Sequence, residues 1–394
     1  MEGLQKSIVM WRNRRSISSN QYRTMTVQFN ITETPGYGTY LNDASDMPYG
    51  KESDAISAWQ EFFGYKPCLF KNGRVVGYLN PNDYTKFENG TSADITSGNA
   101  GDVMVEFPRR GIKISKYRTT VTVSMTDNPN AEGYSYLAHT RGSTAKDYFY
   151  IGAYLGYNAS SKLRSLSGKM PTSLVSLSDF RTYARNLGTG YMEVGFYQYL
   201  FIQCMYLLQY KGHLNSQSVH GYGYCDARDR VASNTGFSDT KGVMYGTTNK
   251  YYSTESDHIK LFGIEDFWGN LEWYLDGYYV AGNAFRASIL TATDGFNNTG
   301  SGYTTNGYAK YISNGCISDA VCSSKAGFTP TNATTNGNSV YFCDTCAINS
   351  NATGEGYAPS VGGDYHGDGG IFHFIVSSSP TSRADWTGGR LAYL

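Results

Sequence analysis

One segment, residues 193–210, constrains the fold more than any other, because it is apolar on nearly every side of a predicted helix. Its apolar residues include Tyr197, Leu200, Phe201, Cys204, Leu207 and Leu208. Gly212 follows as a helix stop. A helix that is apolar all round is typical of a protein interior rather than of a surface. We therefore predict that other elements enclose this helix and that it lies at the centre of the core.

Strand patterns dominate the chain before this helix, and short segments rich in Gly, Asn and Ser follow it. Two more helices are predicted, one beginning near Ser53 and one over residues 179–187 with Ser178 as its N-cap. The predicted strands are 66–70, 74–79, 102–107, 112–115, 118–125 and 148–154, and the Asn72-Gly73 pair is a hairpin turn signal between the first two. The sequence therefore predicts a mixed α+β fold with long loop insertions.

Three regions divide the chain on these patterns. Residues 1–50 are predicted to form an N-terminal arm or attachment segment, and residues 51–140 a strand-rich segment. Residues 141–394 are predicted to form a ligand-binding domain, and a stretch rich in Asn, Thr, Gly and Ser at about 295–356 reads as an insertion within it.

Charge and composition exclude several classes of function. Lys and Arg together number 33, as do Asp and Glu, so the net charge is zero and gives no general attraction to nucleic acid or to an anionic membrane. No apolar run reaches the roughly 20 residues of a membrane span, so we expect no membrane insertion. The 35 tyrosines favour a binding surface instead, since tyrosine offers a large contact area with few rotatable bonds.

Residues 362–394 alternate between two kinds of position. Small or apolar residues recur at Gly362, Gly363, Gly369, Gly370, Phe372 and 388–391. Chemically assorted polar and aromatic residues fill the gaps between them. We predict that the first set forms short buried strands and tight turns, and that the second set lies on one exposed surface that binds a ligand.

Four of the seven cysteines, Cys316, Cys322, Cys343 and Cys346, fall within one loop-rich region. Four thiolates are enough for a tetrahedral zinc ion, and two disulfide bonds are the alternative. Either would hold a long loop together, so both stay open at this point. Calcium held by loop oxygens is a further structural ion that the composition permits, although no residues single out a site for it.

Residues 263–273, GIEDFWGNLEW, resemble the WGN-x-EW signature of the formylglycine-generating-enzyme-like branch of the C-type lectin fold. Residues 388–391, GGRL, resemble the closing strand of that fold, and segments from about residue 55 onward resemble phage tail-tip and receptor-binding proteins. The resemblance implies a C-type lectin fold. Because folds of this kind host many functions, it implies the function less directly.

Physical chemistry assigns roles within this signature. Trp268 and Trp273 are predicted to fill the core, and Asn270 to make a turn whose side-chain amide ties down the backbone. Glu272 lies between aromatic residues and needs a partner, for which Arg390 is the predicted candidate.

The closing segment resembles, more narrowly, the variable region of proteins that diversity-generating retroelements diversify by randomising adenines. The predicted ligand-binding residues are Asp364, Tyr365, His366, Asp368, His373, Ser377, Arg383, Ala384, Asp385 and Trp386. All of them except Trp386 are reachable from an AAY codon by changing adenines alone. Trp386 is therefore predicted to be fixed or differently templated.

These resemblances imply a non-enzymatic receptor-binding protein at the tip of a phage tail, made in the host cytoplasm and carried on the virion. Its expected partners are a bacterial surface receptor, protein or glycan, and other tail proteins, and it is expected to form a homotrimer. One alternative is an enzyme, either of the formylglycine-generating type with Cys343 and Cys346 as its reactive pair, or one that cleaves glycans. Another is a purely structural tail component.

Overall fold

The computed structural model describes residues 22–32, 36–247, 249, 252–281, 284–287, 295–335, 342–349, 356–367 and 369–394. The chain is sheet-rich with few helices, at 38% strand and 13% helix, which places it in a mixed α+β or mostly-β class. Among the described residues, no helix combines the length and the apolar character needed to cross a membrane.

A four-stranded antiparallel sheet is built from the first strands of the chain. In spatial order its strands are β2 (Thr39–Asn42), β1 (Thr24–Asn30), β8 (Thr120–Thr126) and β7 (Gly111–Tyr117). Alternation within β1 places Met25, Val27 and Phe29 in the core. In the described part of the predicted N-terminal arm, β1 pairs along its whole length with β8. Residues 1–21 of that predicted arm lie outside the described residues.

A seven-stranded sheet, which we call the central sheet, follows. In spatial order its strands are β14 (Tyr191–Glu193), β27 (Leu391–Tyr393), β11 (Tyr148–Gly152), β6 (Asp102–Pro108), β3 (Lys66–Lys71), β4 (Arg74–Asn80) and β5 (Asp83–Phe87). The predicted hairpin between β3 and β4 is confirmed, with Asn72 and Gly73 both at positive φ. The predicted boundary at residue 140 falls inside this sheet, because β6 pairs with β11. Residues 51–140 and 141–394 therefore share one sheet.

A second seven-stranded sheet, the distal sheet, is built from the C-terminal part of the chain. In spatial order its strands are β22 (Pro330–Thr334), β21 (Ile312–Ala320), β23 (Thr345–Ile348), β25 (Gly370–Ser378), β24 (Ala358–Gly362), β17 (Glu272–Tyr274) and β26 (Thr387–Gly388). The predicted insertion at 295–356 thus supplies three strands to this sheet rather than an irregular loop. β23 runs parallel to β25, and this pairing joins the insertion to the C-terminal segment.

Smaller strand pairings complete the fold. A three-stranded sheet contains β18 (Tyr278–Ala281), β19 (Ala284–Ala287) and β20 (Thr304–Tyr308). Two-stranded pairs are β9 (Thr140–Arg141) with β10 (Thr144–Ala145), β12 (Tyr157–Asn158) with β13 (Leu163–Arg164), and β15 (Lys260–Leu261) with β16 (Ile264–Glu265). Single 3₁₀ turns lie at Leu137–His139 and Glu255–Asp257.

Four α-helices are described: α1 (Ser53–Phe63), α2 (Leu177–Arg185), α3 (Phe196–Gln209) and the single turn α4 (Ser216–Val219). The expected helix near Ser53 and the two helices of residues 179–210 are confirmed. The N-cap of α2 is Ser176 rather than the predicted Ser178, because the Ser176 hydroxyl accepts the backbone N–H of Asp179.

Helix α3 lies at the centre of the core, as predicted, and every one of its residues is buried. Its three glutamines are buried too, and each donates its side-chain amide to a backbone carbonyl outside the helix. Gln198 donates to Ala138, Gln203 to Ile371 and Gln209 to Gly50. Because a buried amide is stable only when it is hydrogen-bonded, these bonds fix the helix against three separate segments.

The segment 387–393 joins the two large sheets within a few residues. β26 pairs in parallel with β17 of the distal sheet, and β27 then enters the interior of the central sheet between β14 and β11. Arg390 lies at the crossing and has no exposed surface. Its guanidinium donates to the carbonyl oxygens of Gly152 (3.1 Å), Glu265 (3.0 Å) and Asp266 (2.7 Å).

We predict that Arg390→Met destabilises the protein by about 3 kcal/mol, because three buried carbonyl groups lose their donor at once. Urea denaturation followed by circular dichroism measures the free energy of unfolding. The control is Arg74→Met, which changes an exposed arginine of β4 and is expected to shift the free energy of unfolding by less than about 0.5 kcal/mol. Equal stability of the two variants would contradict the role assigned to Arg390.

Candidate functional site

The outer face of the distal sheet carries the candidate site. Along β25, Phe372, Phe374 and Val376 are buried in the hydrophobic core, whereas Ile375 is half-buried and Ser377 is exposed. Successive side chains of a strand point to opposite faces, so His373, Ile375 and Ser377 lie on the face of β25 opposite to these three core residues, whereas Ile371, at the irregular start of the strand, is in the core. The neighbouring β23 alternates in the same way, with Cys346 and Ile348 buried and Thr345 and Ala347 half-buried.

A polar network spans this outer face. The Oε1 atom of Glu272 on β17 lies 3.1 Å from Nε2 of His373 on β25, and the other imidazole nitrogen lies 2.9 Å from the Thr345 hydroxyl. Ser360 on β24, the strand between β17 and β25, donates its hydroxyl to Oε2 of Glu272 at 2.6 Å. Burial alone would lower the pKa of His373, but the hydrogen bond and the charge of Glu272 outweigh it, so this pKa is raised.

The predicted pairing of Glu272 with Arg390 is therefore wrong. Glu272 and Trp273 are neighbours on β17 and so point to opposite faces. The guanidinium of Arg390 lies 5.0 Å from the centroid of the Trp273 ring, on the core side. Glu272 points to the outer face, where His373 takes the place predicted for the arginine.

Asp364 lies in the loop after β24 and borders this network. Its Oδ1 atom accepts the backbone N–H of His366 at 2.6 Å, and only 12% of its side chain is exposed. Burial, followed by the nearby carboxylate of Glu272, raises the pKa of Asp364 to about 6. Ionised Asp364 is therefore held at a free-energy cost in this structure.

An aromatic rim stands beside Asp364, formed by Tyr365, His366 and Trp386. The ring centroids of Tyr365 and His366 are 4.2 Å apart, and those of His366 and Trp386 are 6.1 Å apart in an edge-on arrangement. Trp386 is 44% exposed, and His366 is also exposed. The rim therefore offers aromatic surface to a ligand directly beside buried carboxylates.

Backbone hydrogen bonds hold the rim in place. The Tyr365 N–H donates to the carbonyl of Asn270, and its carbonyl accepts the N–H of Ala227. The Glu272 N–H donates to the carbonyl of Trp386 at 3.0 Å. The rim is thus attached directly to the WGN-x-EW segment rather than to a free loop.

That segment forms the turn predicted for it. Gly269 and Asn270 both have positive φ, and Trp268 and Trp273 are fully buried, as predicted. The Asn270 side chain accepts the N–H of Ser233 and donates to the carbonyl of Ser233 and to Asp266. The expected tie between the Asn270 amide and the backbone is confirmed.

The predicted ligand-binding residues separate into groups. One group contains Asp364, His366, Asp385 and Trp386. Two others, Tyr365 and His373, are buried beneath this group. The direct contact role predicted for these two buried residues is a poor fit, because neighbouring groups cover their side chains. Asp368 lies outside the described residues.

The remaining predicted residues do not belong to the rim. The Arg383 guanidinium donates to Asp179 of α2 at 2.8 Å, so it anchors its loop to that helix. The carbonyl of Ala384 accepts the N–H of Leu174, which adds a second anchor. Ser377 is exposed near the end of β25, on the same face as Ile375.

The four clustered cysteines are not brought together as a set. Cys316 and Cys346 lie on the paired strands β21 and β23, and no disulfide bond joins any of the seven cysteines, all of which are described. No three His, Cys, Asp or Glu side chains of the described residues form a group that could hold a metal ion. Burial raises the pKa of both Cys322 and Cys346 to about 12, which disfavours the thiolate that a zinc ion or a nucleophile needs.

Comparison with known proteins assigns no function to this site. No protein-family model matches the chain, and no curated protein matches it.

Sequence reasoning missed Glu272, Thr345 and Ser360 as parts of the site. Glu272 carried a signal, since a carboxylate between aromatic residues must find a partner, but its partner is distant in sequence. Together these groups make a face that can accept and donate hydrogen bonds at its base and stack against a ligand at its rim.

We predict that Asp364→Asn stabilises the protein at neutral pH. The folded-state pKa of Asp364 lies above its ordinary value of 3.8, so the stability of the wild type falls as the pH rises from about 4 to about 6. Asparagine keeps the oxygen that accepts the His366 N–H and carries no charge, so above pH 6 the variant is expected to be more stable by about 2 kcal/mol.

Urea denaturation from pH 4 to pH 8 measures this difference. It is expected to grow through that window and then stay constant. The control is Asp147→Asn, whose carboxylate is on an exposed side chain and whose pH profile should follow the wild type. A constant difference between Asp364→Asn and wild type across the whole range would contradict the assigned pKa.

Proposed function

We propose that the chain is a non-enzymatic receptor-binding protein that recognises a bacterial surface molecule through the rim and the outer face of the distal sheet. One observation carries the proposal: the C-terminal segment separates into buried framework residues and outward residues within single strands. Because Phe372, Phe374 and Val376 fill the core, Ile375 and Ser377 can change without loss of core packing. That separation suits a surface whose task is recognition.

The proposed fold is the C-type lectin fold of the formylglycine-generating-enzyme-like branch. Its support is the buried Trp268 and Trp273, the Gly269-Asn270 turn and the closing segment 387–393 that joins two sheets. The mixed, sheet-rich class of the chain is compatible with this fold.

The proposed setting is the tip of a phage tail, with other tail proteins as neighbours and a trimer as the assembly. Three copies of one modest site raise the overall affinity through multivalency, because the second and third contacts form at high effective concentration. The resemblance of the sequence to tail-tip proteins supports this part of the proposal.

Alanine substitution of the rim tests the binding function. Trp386→Ala and His366→Ala are expected to reduce the adsorption of the purified protein to cells in a panel of bacteria by at least about tenfold, since exposed aromatic residues dominate such contacts. The control is Tyr117→Ala, which removes a tyrosine that is 74% exposed at the end of β7. Adsorption that both rim variants retain would favour a purely structural tail component.

One observation favours glycan cleavage as a second candidate. Burial and the nearby carboxylate of Glu272 raise the pKa of the Asp364 carboxyl group, and a carboxylic acid with a raised pKa beside a second carboxylate is a feature of glycosidases. Release of reducing sugar ends during the adsorption experiment, absent with Asp364→Asn, would replace the binding proposal with this one. The formylglycine-type alternative has less support, because burial raises the pKa of Cys346.

We further propose that the outward residues are diversified by a retroelement. The test is the DNA that flanks the gene. We expect a near-copy of the 3′ coding end that differs only at adenines, beside a reverse transcriptase gene, with the differences falling in codons of exposed or half-buried residues such as His366, Ile375 and Ser377. Flanking DNA that lacks such a copy would leave a receptor-binding protein with a fixed surface.

A further inference from the structure

The proposed receptor-binding function leaves the chemistry of the ligand open, and the charges around the rim restrict it. Burial raises the pKa of the Tyr365 hydroxyl group, and the negative charges of two carboxylates, those of Asp385 and Asp364, raise it further. Glu272 adds a third carboxylate next to Asp364. The excess of charge at the rim is therefore negative.

The nearby cations do not neutralise this charge. Arg383 turns away to Asp179 of α2, and Arg390 is fully buried against backbone carbonyls. Among the described residues, no lysine or arginine forms an ion pair with Asp364, Glu272 or Asp385. The imidazoles of His366 and His373 face Asp364. The Nδ1 atom of His366 lies 3.6 Å from Oδ1 of Asp364, and Nε2 of His373 is hydrogen-bonded to Glu272 and lies near the charge of Asp344.

Aromatic surface lies in the same place as these carboxylates. Trp386 and His366 expose their rings, and the Tyr365 ring packs against His366. A cation over the face of an aromatic ring is attracted by the ring quadrupole, most strongly by tryptophan. Carboxylates that accept charge-assisted hydrogen bonds from an N–H group add to that attraction. A carboxylate cluster alone would not select a ligand, whereas this combination does.

We infer that the rim binds a protonated amine on the receptor, held between the aromatic rings of Trp386 and His366 and the carboxylates of Asp364 and Asp385. This inference rests on the proposed function and names the chemical class of its ligand. A bound ammonium group places a positive charge beside Asp364, with which no lysine or arginine among the described residues forms an ion pair. Binding and the ionisation of Asp364 therefore favour each other.

This coupling gives the interaction a characteristic pH dependence. Protonated Asp364 has no charge to offer, so affinity for an amine falls as the pH drops below about 6. A lysine amine stays protonated over this range, whereas an amino-sugar amine, which ionises near neutral pH, is fully protonated only in the acidic part of it. A neutral ligand that binds by stacking and hydroxyl contacts has no such dependence on Asp364.

The test is a titration of the full chain with two matched pairs of small molecules. The first pair is Nα-acetyl-lysine methylamide and its uncharged counterpart Nα-acetyl-norleucine methylamide, and the second is glucosamine and N-acetylglucosamine. Tryptophan fluorescence reports binding, with Trp386→Phe identifying the signal of Trp386. At pH 7.5 at least one amine is expected to bind about tenfold more tightly than its neutral counterpart, and this ratio is expected to fall to about two at pH 5.

The two pairs distinguish a lysine side chain from an amino sugar as the source of the amine. Asp364→Asn, which is expected to fold stably, should abolish both the preference for amines and its pH dependence, whereas Tyr117→Ala should change neither. Equal affinity for charged and neutral members of both pairs would overturn the inference. If Trp386→Ala still impaired adsorption to cells in that case, the receptor-binding function would stand without it. If Trp386→Ala left adsorption intact as well, both the amine inference and the receptor-binding function would be contradicted.

Discussion

The buried guanidinium of Arg390 is the interaction on which the arrangement of the two large sheets depends. Its three carbonyl partners are Gly152 of β11 and the adjacent residues Glu265 and Asp266, so one side chain joins two separate parts of the chain. Its own backbone N–H donates to Glu193 at the end of β14. Burial lowers the pKa of Arg390 to about 10, which still leaves the group charged at neutral pH. Methionine or leucine of similar volume would fill the space but satisfy none of the carbonyls.

The candidate site depends on this framework and contributes little to it. Its exposed residues Trp386 and His366 lie outside the core, and the rim is attached through backbone hydrogen bonds of Asn270 and Glu272. Side-chain changes at Trp386 or His366 therefore leave those bonds in place. Asp364 even reduces the stability of the folded state, because its largely buried carboxyl group is costly to ionise. Residues that reduce stability in this way are typical of functional sites.

Local patterns in the sequence predicted the elements well. Strand patterns identified β3, β4, β6, β7, β8 and β11, the Asn72-Gly73 turn fixed one hairpin, and the apolar helix proved to be central. Partners distant in sequence could not be predicted in the same way. β23 of the presumed insertion pairs with β25, and His373 rather than Arg390 meets Glu272, because these contacts depend on strand register and on which face of β17 a side chain occupies. The buried positions of Tyr365 and His373 have the same cause, since a polar or amphipathic residue in a variable-looking segment carries no local sign of being covered.

The position of β27 within the central sheet also bears on how fast the protein can fold. Tyr393 pairs with Tyr150 on one side and with Tyr191 on the other, so the interior of that sheet closes only through contacts between widely separated parts of the chain. Closing such long loops costs entropy before any contact is gained, and proteins rich in non-local strand pairings fold slowly. Until β27 is in place, β11 and β14 each present an unpaired edge. The same closing segment that completes the native structure thus leaves two strand edges open to association with other chains while folding is under way.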